Sequence, residues 1–520
     1  MLVHETLAAT AARTPGLRLL EDTEQRASAS EVAAMAGRVA HALTQAAAIA
    51  PGDRVAILLE NSVAFVVAYY GALAAGSIAV PIDPKLTIRN IEWMLRDAEP
   101  SALVLHAAQL ERLADVIGKI ESLRVVIVTP AASAKTLGKA RLLGWDAVTS
   151  GGAAAWPATT RQPQDPALIL YTSGTTAEPK GVLLTHANLM AASGNIIRTA
   201  EINERDSELL TLPMTHLFGL GHVHSYVRAG GRLILRNGLL PLDRLFQTIE
   251  QEKVTSFPAV PASFAMLLER YEPLLAGAAS RLRYMYTNSS PMPVDHIARV
   301  RMLLPNTRLI MYYGLTEASR STFIEYGQVE RERWNSVGPA APGLTLTIRD
   351  DAGRALPQGK TGEVNVQGPT VSPGYWRRPQ ETAAALGPDG LRTGDLGRLD
   401  AEGFLTITGR VKDLINTGGF KLSPLEVEAI LKEHPSVKEA AVAGVPDPAG
   451  IMGEVVAAYV VLSGAGDATP EVLRRFAMER LEPYKVPRTI RIVESLPKTE
   501  AGKIQRSRLR DLDRAAQQSQ

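Results

Sequence analysis

The segment Tyr171-Thr172-Ser173-Gly174-Thr175-Thr176-Ala177-Glu178-Pro179-Lys180-Gly181 crowds glycine and hydroxyl side chains between an apolar run and a Pro-Lys-Gly. Backbone N–H groups and hydroxyls of such a loop can face phosphate oxygens, with Lys180 as a compact positive charge. It is not a Walker A loop, because Gly174 stands six residues before Lys180 and glycine follows the lysine. On composition alone the stretch also reads as a flexible turn. In Tyr313-Gly314-Leu315-Thr316-Glu317, the Glu317 carboxylate can hold a hard cation with Thr316 on a phosphate, or simply face solvent. Tyr313 can stack on a base or sit in the core. Asp395, after Gly394, can accept hydrogen bonds from a polar ligand, or be an ordinary turn residue. Lys503 lies in a Gly-containing turn near Arg506, Arg508 and Arg510; it is either a mobile lysine in a basic tail or, with a closing domain, a stabiliser of transition-state charge.

Two further groups invite chemistry. His216, His222 and His224 lie close together, but no carboxylate adjoins them in sequence and no metal-ligand spacing fits, so packed or loop histidines are expected. Arg320 follows Glu317 by three. Turned inward it could bind a second anionic group of a substrate; a solvent-facing or structural role is the expectation.

The elements that must position these residues come from a chain of 520 residues, enough for several domains. Its 46% hydrophobic and 21% charged content is that of a globular protein. Fifty-six basic against 54 acidic side chains leave +2, too little for holding nucleic acid or an anionic membrane by bulk charge. Without cysteine, disulfides, thiolate metal sites and Cys nucleophiles are excluded. Met1 to Thr14 shows no secretory pattern, so a cytoplasmic location is expected. Val63 to Val80 carries no charge over eighteen residues, but Gly71, Gly76 and Ser77 interrupt it, and it reads as a core helix followed by the strand Ile78 to Val80.

The first 150 residues alternate helix and strand signals, as in a parallel sheet covered by helices. Ser28 and Glu31 form a capping box before a helix with Val32, Met35, Val39 and Leu43 on one face. Val55 to Leu59, Ala102 to Leu105 and Val125 to Val128 are strand-length runs, and Gly151 to Pro163 reads as a surface connection. From about residue 337, turns such as Pro342-Gly343 and Pro373-Gly374 punctuate a small β-rich subdomain. After Gly409 a mixed pattern follows, with a helix capped by Ser423, started by Pro424 and boxed by Glu426, strands at Ala440 to Val445, Val455 to Leu462 and Thr489 to Val493, and a helix near Pro470. The expected class is α/β: a large N-terminal lobe of two α/β layers plus the β-rich subdomain, with a small mobile α+β C-terminal domain.

Taken together, the words Tyr171 to Gly181, Tyr313 to Glu317, Arg392-Thr393-Gly394-Asp395, Gly409-Arg410 and Pro497-Lys498-Thr499-Glu500-Ala501-Gly502-Lys503 resemble, in order, the pattern of the adenylate-forming superfamily of acyl-CoA synthetases, luciferase and peptide-synthetase adenylation domains. The resemblance runs from about residue 5 to 510. It implies an N-terminal AMP-binding domain at 1–409, a hinge at 410–413 around Lys412, and a mobile C-terminal domain at 414–520. It implies Thr172, Ser173, Gly174, Thr175, Thr176, Lys180, Ser289, Ser290, Pro291, Tyr313, Gly314, Asp395 and Arg410 as nucleotide-binding, and Lys503, Thr316, Glu317 and His216 as catalytic. In that scheme Glu317 is also the Mg²⁺ ligand, His216 is the gate to the acyl tunnel, and Gly418 and Gly419 line the coenzyme A tunnel.

Asn288-Ser289-Ser290-Pro291 stands where the family often has Gly-Gly-Ala-Pro, and Ala177 stands where glycine is common. The implied cofactors are ATP, Mg²⁺ and coenzyme A, and the implied activity is AMP-forming ligation of a fatty or related hydrophobic acid to coenzyme A. Aryl acids and loading of a carrier protein are the alternatives. A nucleotide-binding regulator without catalysis would be expected to lack Glu317 or Lys503, and both are present. The partner is a small-molecule acid, with no nucleic acid and no integral membrane association; a homodimer is left open. The pocket-lining stretches expected are Leu217 to Leu220, Val260 to Met266 and Tyr284 to Met292.

Overall fold

The structure is a computed structural model that describes residues 1–520 except 47, 132–135, 152–155, 157–159, 173–178, 240, 418–419, 448–451, 465–467, 500–501 and 512–520. Among the described residues a nine-stranded sheet forms the first layer, with Gly374–Tyr375, Lys180–Thr185, Pro166–Thr172, Ile78–Pro81, Arg54–Leu58, Ala102–His106, Val125–Thr129, Ala140–Gly144 and Thr136–Leu137 side by side. Its central strands, from Ile78–Pro81 to Val125–Thr129, pair in parallel, as fully buried apolar runs do when helices cover both faces. The helix Ala29–Ala46 starts at the expected box, with the Ser28 amide 2.7 Å from Glu31 Oε2 and the Glu31 amide 3.3 Å from Ser28 Oγ. Helix Val63–Ala74, capped by Ser62 Oγ on the Phe65 amide at 3.2 Å, is buried along its whole length. Being apolar all round is thus explained by a core position, and no helix among the described residues is long and apolar enough to cross a membrane.

The second layer contains Ser207–Leu210, Arg232–Leu235, Arg18–Glu21 and Arg26–Ser28. Parallel bridges Glu208–Ser256 and Ser256–Tyr284 carry it on to Tyr284–Thr287, Arg308–Tyr313 and Thr322–Glu325. A β-rich unit follows, built on the antiparallel strands Thr345–Arg349, Gly362–Gln367, Gly390–Leu399 and Leu405–Arg410.

The smaller C-terminal part has its own apolar cores beneath Val437–Pro446, Glu454–Leu462 and Thr489–Ile492, with helices Pro424–Lys432 and Pro470–Met478. Ser423 caps the first of these, accepting from the Leu425 amide at 3.3 Å. The expected capping box does not form: Glu426 instead takes the ammonium of Lys485 at 2.5 Å, since an ion pair outcompetes a neutral amide for the carboxylate. The two parts touch through ion pairs Lys438–Glu269 at 3.1 Å and Lys421–Asp351 at 3.0 Å.

Candidate active site

Parallel strands deliver their loops to one edge, and three strands of the second layer do so here. Ser207–Leu210 leads to His216, Tyr284–Thr287 to Ser289, Ser290 and Pro291, and Arg308–Tyr313 to Gly314, Thr316 and Glu317. The carboxyl ends of parallel strands are where α/β sheets form ligand crevices. His216 is the N-cap of helix Leu217–Ala229 and is exposed. Ser289 adopts φ +84°, a left-handed conformation that favours glycine, at the place where the family often has one.

Asp395 and Arg410 face each other across the strand pair Gly390–Leu399 and Leu405–Arg410. Arg410 Nε donates to Asp395 Oδ1 at 2.5 Å and the Tyr313 hydroxyl donates to Oδ2 at 2.7 Å. The Asp395 amide donates to Thr393 Oγ1 at 3.1 Å, and that hydroxyl donates to the Val364 carbonyl at 2.7 Å, so the carboxylate is fixed from both ends. Burial and the Asp395 charge push the Tyr313 phenol well above its ordinary value. Burial opposes the charge on Arg410, but the Asp395 carboxylate more than offsets it and holds the guanidinium above its usual range.

Lys503, from the C-terminal part, comes close enough to this cluster for Arg410, Asp395 and Lys412 to act on its charge. Its turn is closed by the Thr499 amide on the Lys503 carbonyl at 2.8 Å and by the Lys503 amide on Thr499 Oγ1 at 3.1 Å. Gly502, at φ +76°, lies so close to helix Pro261–Arg270 that a Cβ there would stand 2.8 Å from that of Ala262. Burial lowers the Lys503 ammonium below the ordinary lysine value; Arg410 and Lys412 lower it further and Asp395 opposes them. Lys412 itself sits in the short turn Val411–Asp413, lowered first by burial and then by Arg410.

Glu317 and Lys180 meet at a tyrosine that sequence reasoning did not single out. The Tyr375 hydroxyl donates to Glu317 Oε1 at 2.8 Å, and the Lys180 ammonium lies 5.6 Å from the centre of the Tyr375 ring. Gly374–Tyr375 pairs with Lys180–Thr185, which brings the three together. The only signal in the sequence was an aromatic after the Pro373-Gly374 turn, which many surface turns share. Thr172 stands opposite Lys180 in the adjoining ladder. Ser173, Gly174, Thr175, Thr176 and Ala177 between them, and Gly418 and Gly419, lie outside the described residues.

The remaining candidates face inward. Arg320 is buried, at 1% exposure, with Nη2 donating to the Leu217 carbonyl at 2.9 Å and the Phe218 carbonyl at 3.2 Å, and Nη1 to Ser319 Oγ at 2.5 Å. Of the two roles expected for it, the structural one is what these contacts show. His222 and His224 are buried too. The fold supplies His222 with the carboxylate that its sequence neighbours lack, Glu208 at 2.9 Å, and His224 Nε2 lies 2.9 Å from the Tyr69 hydroxyl. No group of three potential ligands that could hold a metal ion occurs among the described residues.

Comparison with known proteins decides the family. Residues 7–376 match the model of the AMP-binding enzyme and residues 426–503 that of its C-terminal domain. The chain belongs to the AMP-binding enzyme family. It is 34% identical over 496 residues to the long-chain-fatty-acid–CoA ligase of Bacillus subtilis, covering 90% of this chain and 87% of that one. It is 32% identical over 505 residues to the indoleacetate–CoA ligase of Aromatoleum aromaticum, covering 96% and 95%. The crystal structure of ATP-bound MatB from Rhodopseudomonas palustris superposes with a TM-score of 0.88 at 29% identity, over 98% of this chain and 99% of that one. The chain is therefore a member of the adenylate-forming superfamily, with that superfamily's large N-terminal and smaller C-terminal domains.

Proposed function

We propose that this AMP-binding enzyme joins a hydrophobic carboxylic acid, fatty or aryl, to coenzyme A in two steps. In the first, a carboxylate oxygen attacks the α-phosphorus of ATP and pyrophosphate leaves. In the second, the thiol sulfur attacks the carbonyl carbon of the acyl-adenylate, its proton goes to solvent, and AMP leaves. Tyr313, Gly314, Ser289, Ser290 and Pro291 hold the adenine side; Asp395 and Arg410 hold the ribose; Thr172, Ser173, Gly174, Thr175, Thr176 and Lys180 hold the phosphates. Thr316 meets the α-phosphate and His216 closes the passage to the acid. Lys503 binds the charge that builds between carboxylate and α-phosphate.

Glu317 fits a magnesium ion. One of its oxygens is steadied by Tyr375, and Mg²⁺ prefers one or two carboxylates completed by phosphate oxygens and water rather than a full protein cage. When bound with ATP it would neutralise phosphate charge. The C-terminal domain, 414–520, turns about the hinge 410–413 at Lys412 between steps, withdrawing Lys503 and bringing Gly418 and Gly419 to the coenzyme A passage.

The observation that most supports this reading is the arrival of Lys503, from the far end of the chain, beside the Tyr313–Asp395–Arg410 cluster. The relatives named above act on acids as unlike as long-chain fatty acids and indoleacetate, so their names do not choose the acid. Mass spectrometry of products from ATP, Mg²⁺ and a panel of alkyl, aryl and dicarboxylic acids, with and without coenzyme A, tests the proposal. AMP and an acyl-CoA support it. Acyl-AMP that ignores coenzyme A points to carrier-protein loading, and no acid-dependent pyrophosphate overturns it.

A further inference from the structure

Behind His216, between helix Leu217–Ala229 and the strands Tyr284–Thr287 and Arg308–Tyr313, four rings close on one another. Phe218 lies 5.3 Å from Tyr312 and 5.6 Å from His222, His222 lies 5.1 Å from Tyr286, and Tyr286 lies 5.9 Å from Tyr312, centre to centre. The Arg320 guanidinium lies 5.0 Å from the centre of the Tyr312 ring. Helix and both strands are thereby bridged by side chains, and Phe218, two residues after His216, is the one ring of the four that is not fully buried.

Most of this floor is anchored from behind. His222 Nδ1 contacts Glu208, itself fully buried and accepting from Ser256 Oγ at 2.9 Å. The Tyr286 hydroxyl donates to the Ile196 carbonyl at 3.0 Å. Arg320 is tied to the Leu217 and Phe218 carbonyls, and it fits only because residue 221 is glycine: a Cβ there would stand 2.2 Å from Nη2. Swinging His222 aside would leave a buried carboxylate with Ser256 alone, and moving Arg320 would leave a buried cation without acceptors; both are costly. Phe218 is the member of the set held by ring packing alone.

We infer that the Phe218–His222–Tyr286–Tyr312 ring set with Arg320 is the floor of the acid pocket, and that the enzyme selects compact acids, aryl or short alkyl, over long-chain ones. The inference rests on the ligase reading above. Phe218 follows His216 by two residues and His222 by six, so the set begins about 3 Å and ends about 9 Å along the helix from the gate, and His222, Tyr286, Tyr312 and Arg320 behind Phe218 are at most 1% exposed, which leaves a long chain no way on.

The test is acid-dependent pyrophosphate release, which does not depend on the acyl acceptor. kcat/KM is measured for benzoate, indoleacetate, hexanoate, decanoate and palmitate with the wild-type protein and with Phe218→Ala. The wild type should favour its best compact acid over palmitate by about 100-fold or more, and Phe218→Ala should move the decanoate-to-hexanoate ratio upward by about tenfold. Palmitate turned over as well as the best compact acid overturns the inference while leaving the ligase reading intact. So does a Phe218→Ala protein of native circular dichroism whose ratio is unchanged. Release with no acid at all would instead overturn the ligase reading on which it rests.

Discussion

Arg410 and Asp395 stand opposite each other on neighbouring antiparallel strands, with Nε 2.5 Å from Oδ1, so two sequence words fifteen residues apart become one charged pair. The carboxylate cannot rotate, because Tyr313 holds its other oxygen at 2.7 Å, and a fixed carboxylate is what the proposed ribose site needs. Asp395→Asn keeps the shape and removes the charge. Hydrogen bonds to charged groups contribute about 1.5–3 kcal/mol, so KM for ATP should rise about 10- to 100-fold. Initial rates of pyrophosphate release against ATP concentration measure this, and an unchanged KM would remove Asp395 from the nucleotide site.

In the proposed first step Lys503 acts as an ammonium, and its pKa is lowered by burial and by Arg410. A lowered pKa means that the proton leaves at a lower pH than from an ordinary lysine. In kcat/KM for adenylation, which reports the free enzyme, the alkaline fall should therefore begin below the usual lysine range. Lys503→Arg, charged throughout, should lose that limb, at a reduced rate. Lys503→Ala should slow acyl-AMP formation by orders of magnitude while sparing thioester formation from supplied acyl-AMP. Equal loss in both steps would show that Lys503 does not serve the first alone.

Local signals carried much of the fold. The Ser28–Glu31 box, the uncharged run from Val63 and the strand-length apolar runs each stand where their own chemistry puts them, because each depends on neighbours in sequence. The Glu426 box failed because Lys485, far along the chain, offered a charge instead. Tyr375 was missed for the same reason: its value lies in the strand pairing that sets it between Glu317 and Lys180, and nothing local announces that pairing. Arg320 was legible as a choice between roles, but the choice was decided by Gly221 and the Leu217 carbonyl, about a hundred residues away.

Buried neutral histidines make the protein acid-sensitive. Burial takes His4 down to about 4 and both His186 and His224 to about 3, with Glu5 opposing at His4, His4 reinforcing at His186 and Arg320 reinforcing at His224. From the ordinary value of 6.5 downward, the unfolded chain binds these protons and the folded one does not, so stability falls as pH falls through that window. Each histidine should contribute about 2 kcal/mol of loss by pH 5. Urea unfolding at pH 7.5 and pH 5.0 should show a lower midpoint at pH 5.0, and His224→Gln, if it folds, should narrow the gap. Equal midpoints would mean that these rings accept protons in the folded state.

The turn Val411–Asp413 is the one short link between the strand that carries Arg410 and the hairpin Ile415–Thr417 with Phe420–Leu422, so rotation there would carry Lys503 away from Asp395. A 3₁₀ turn has φ near −60°, and proline imposes a similar angle. Lys412→Pro is therefore compatible with the orientation in which Lys503 reaches Arg410, and it resists any rotation that needs a different φ at this residue. Acyl-AMP should form at a rate close to that of the unaltered protein, whereas thioester production should fall by about tenfold or more, with acyl-AMP accumulating. Single-turnover assays of the two steps, followed by mass spectrometry, separate these outcomes. Normal thioester production would place the pivot outside this turn.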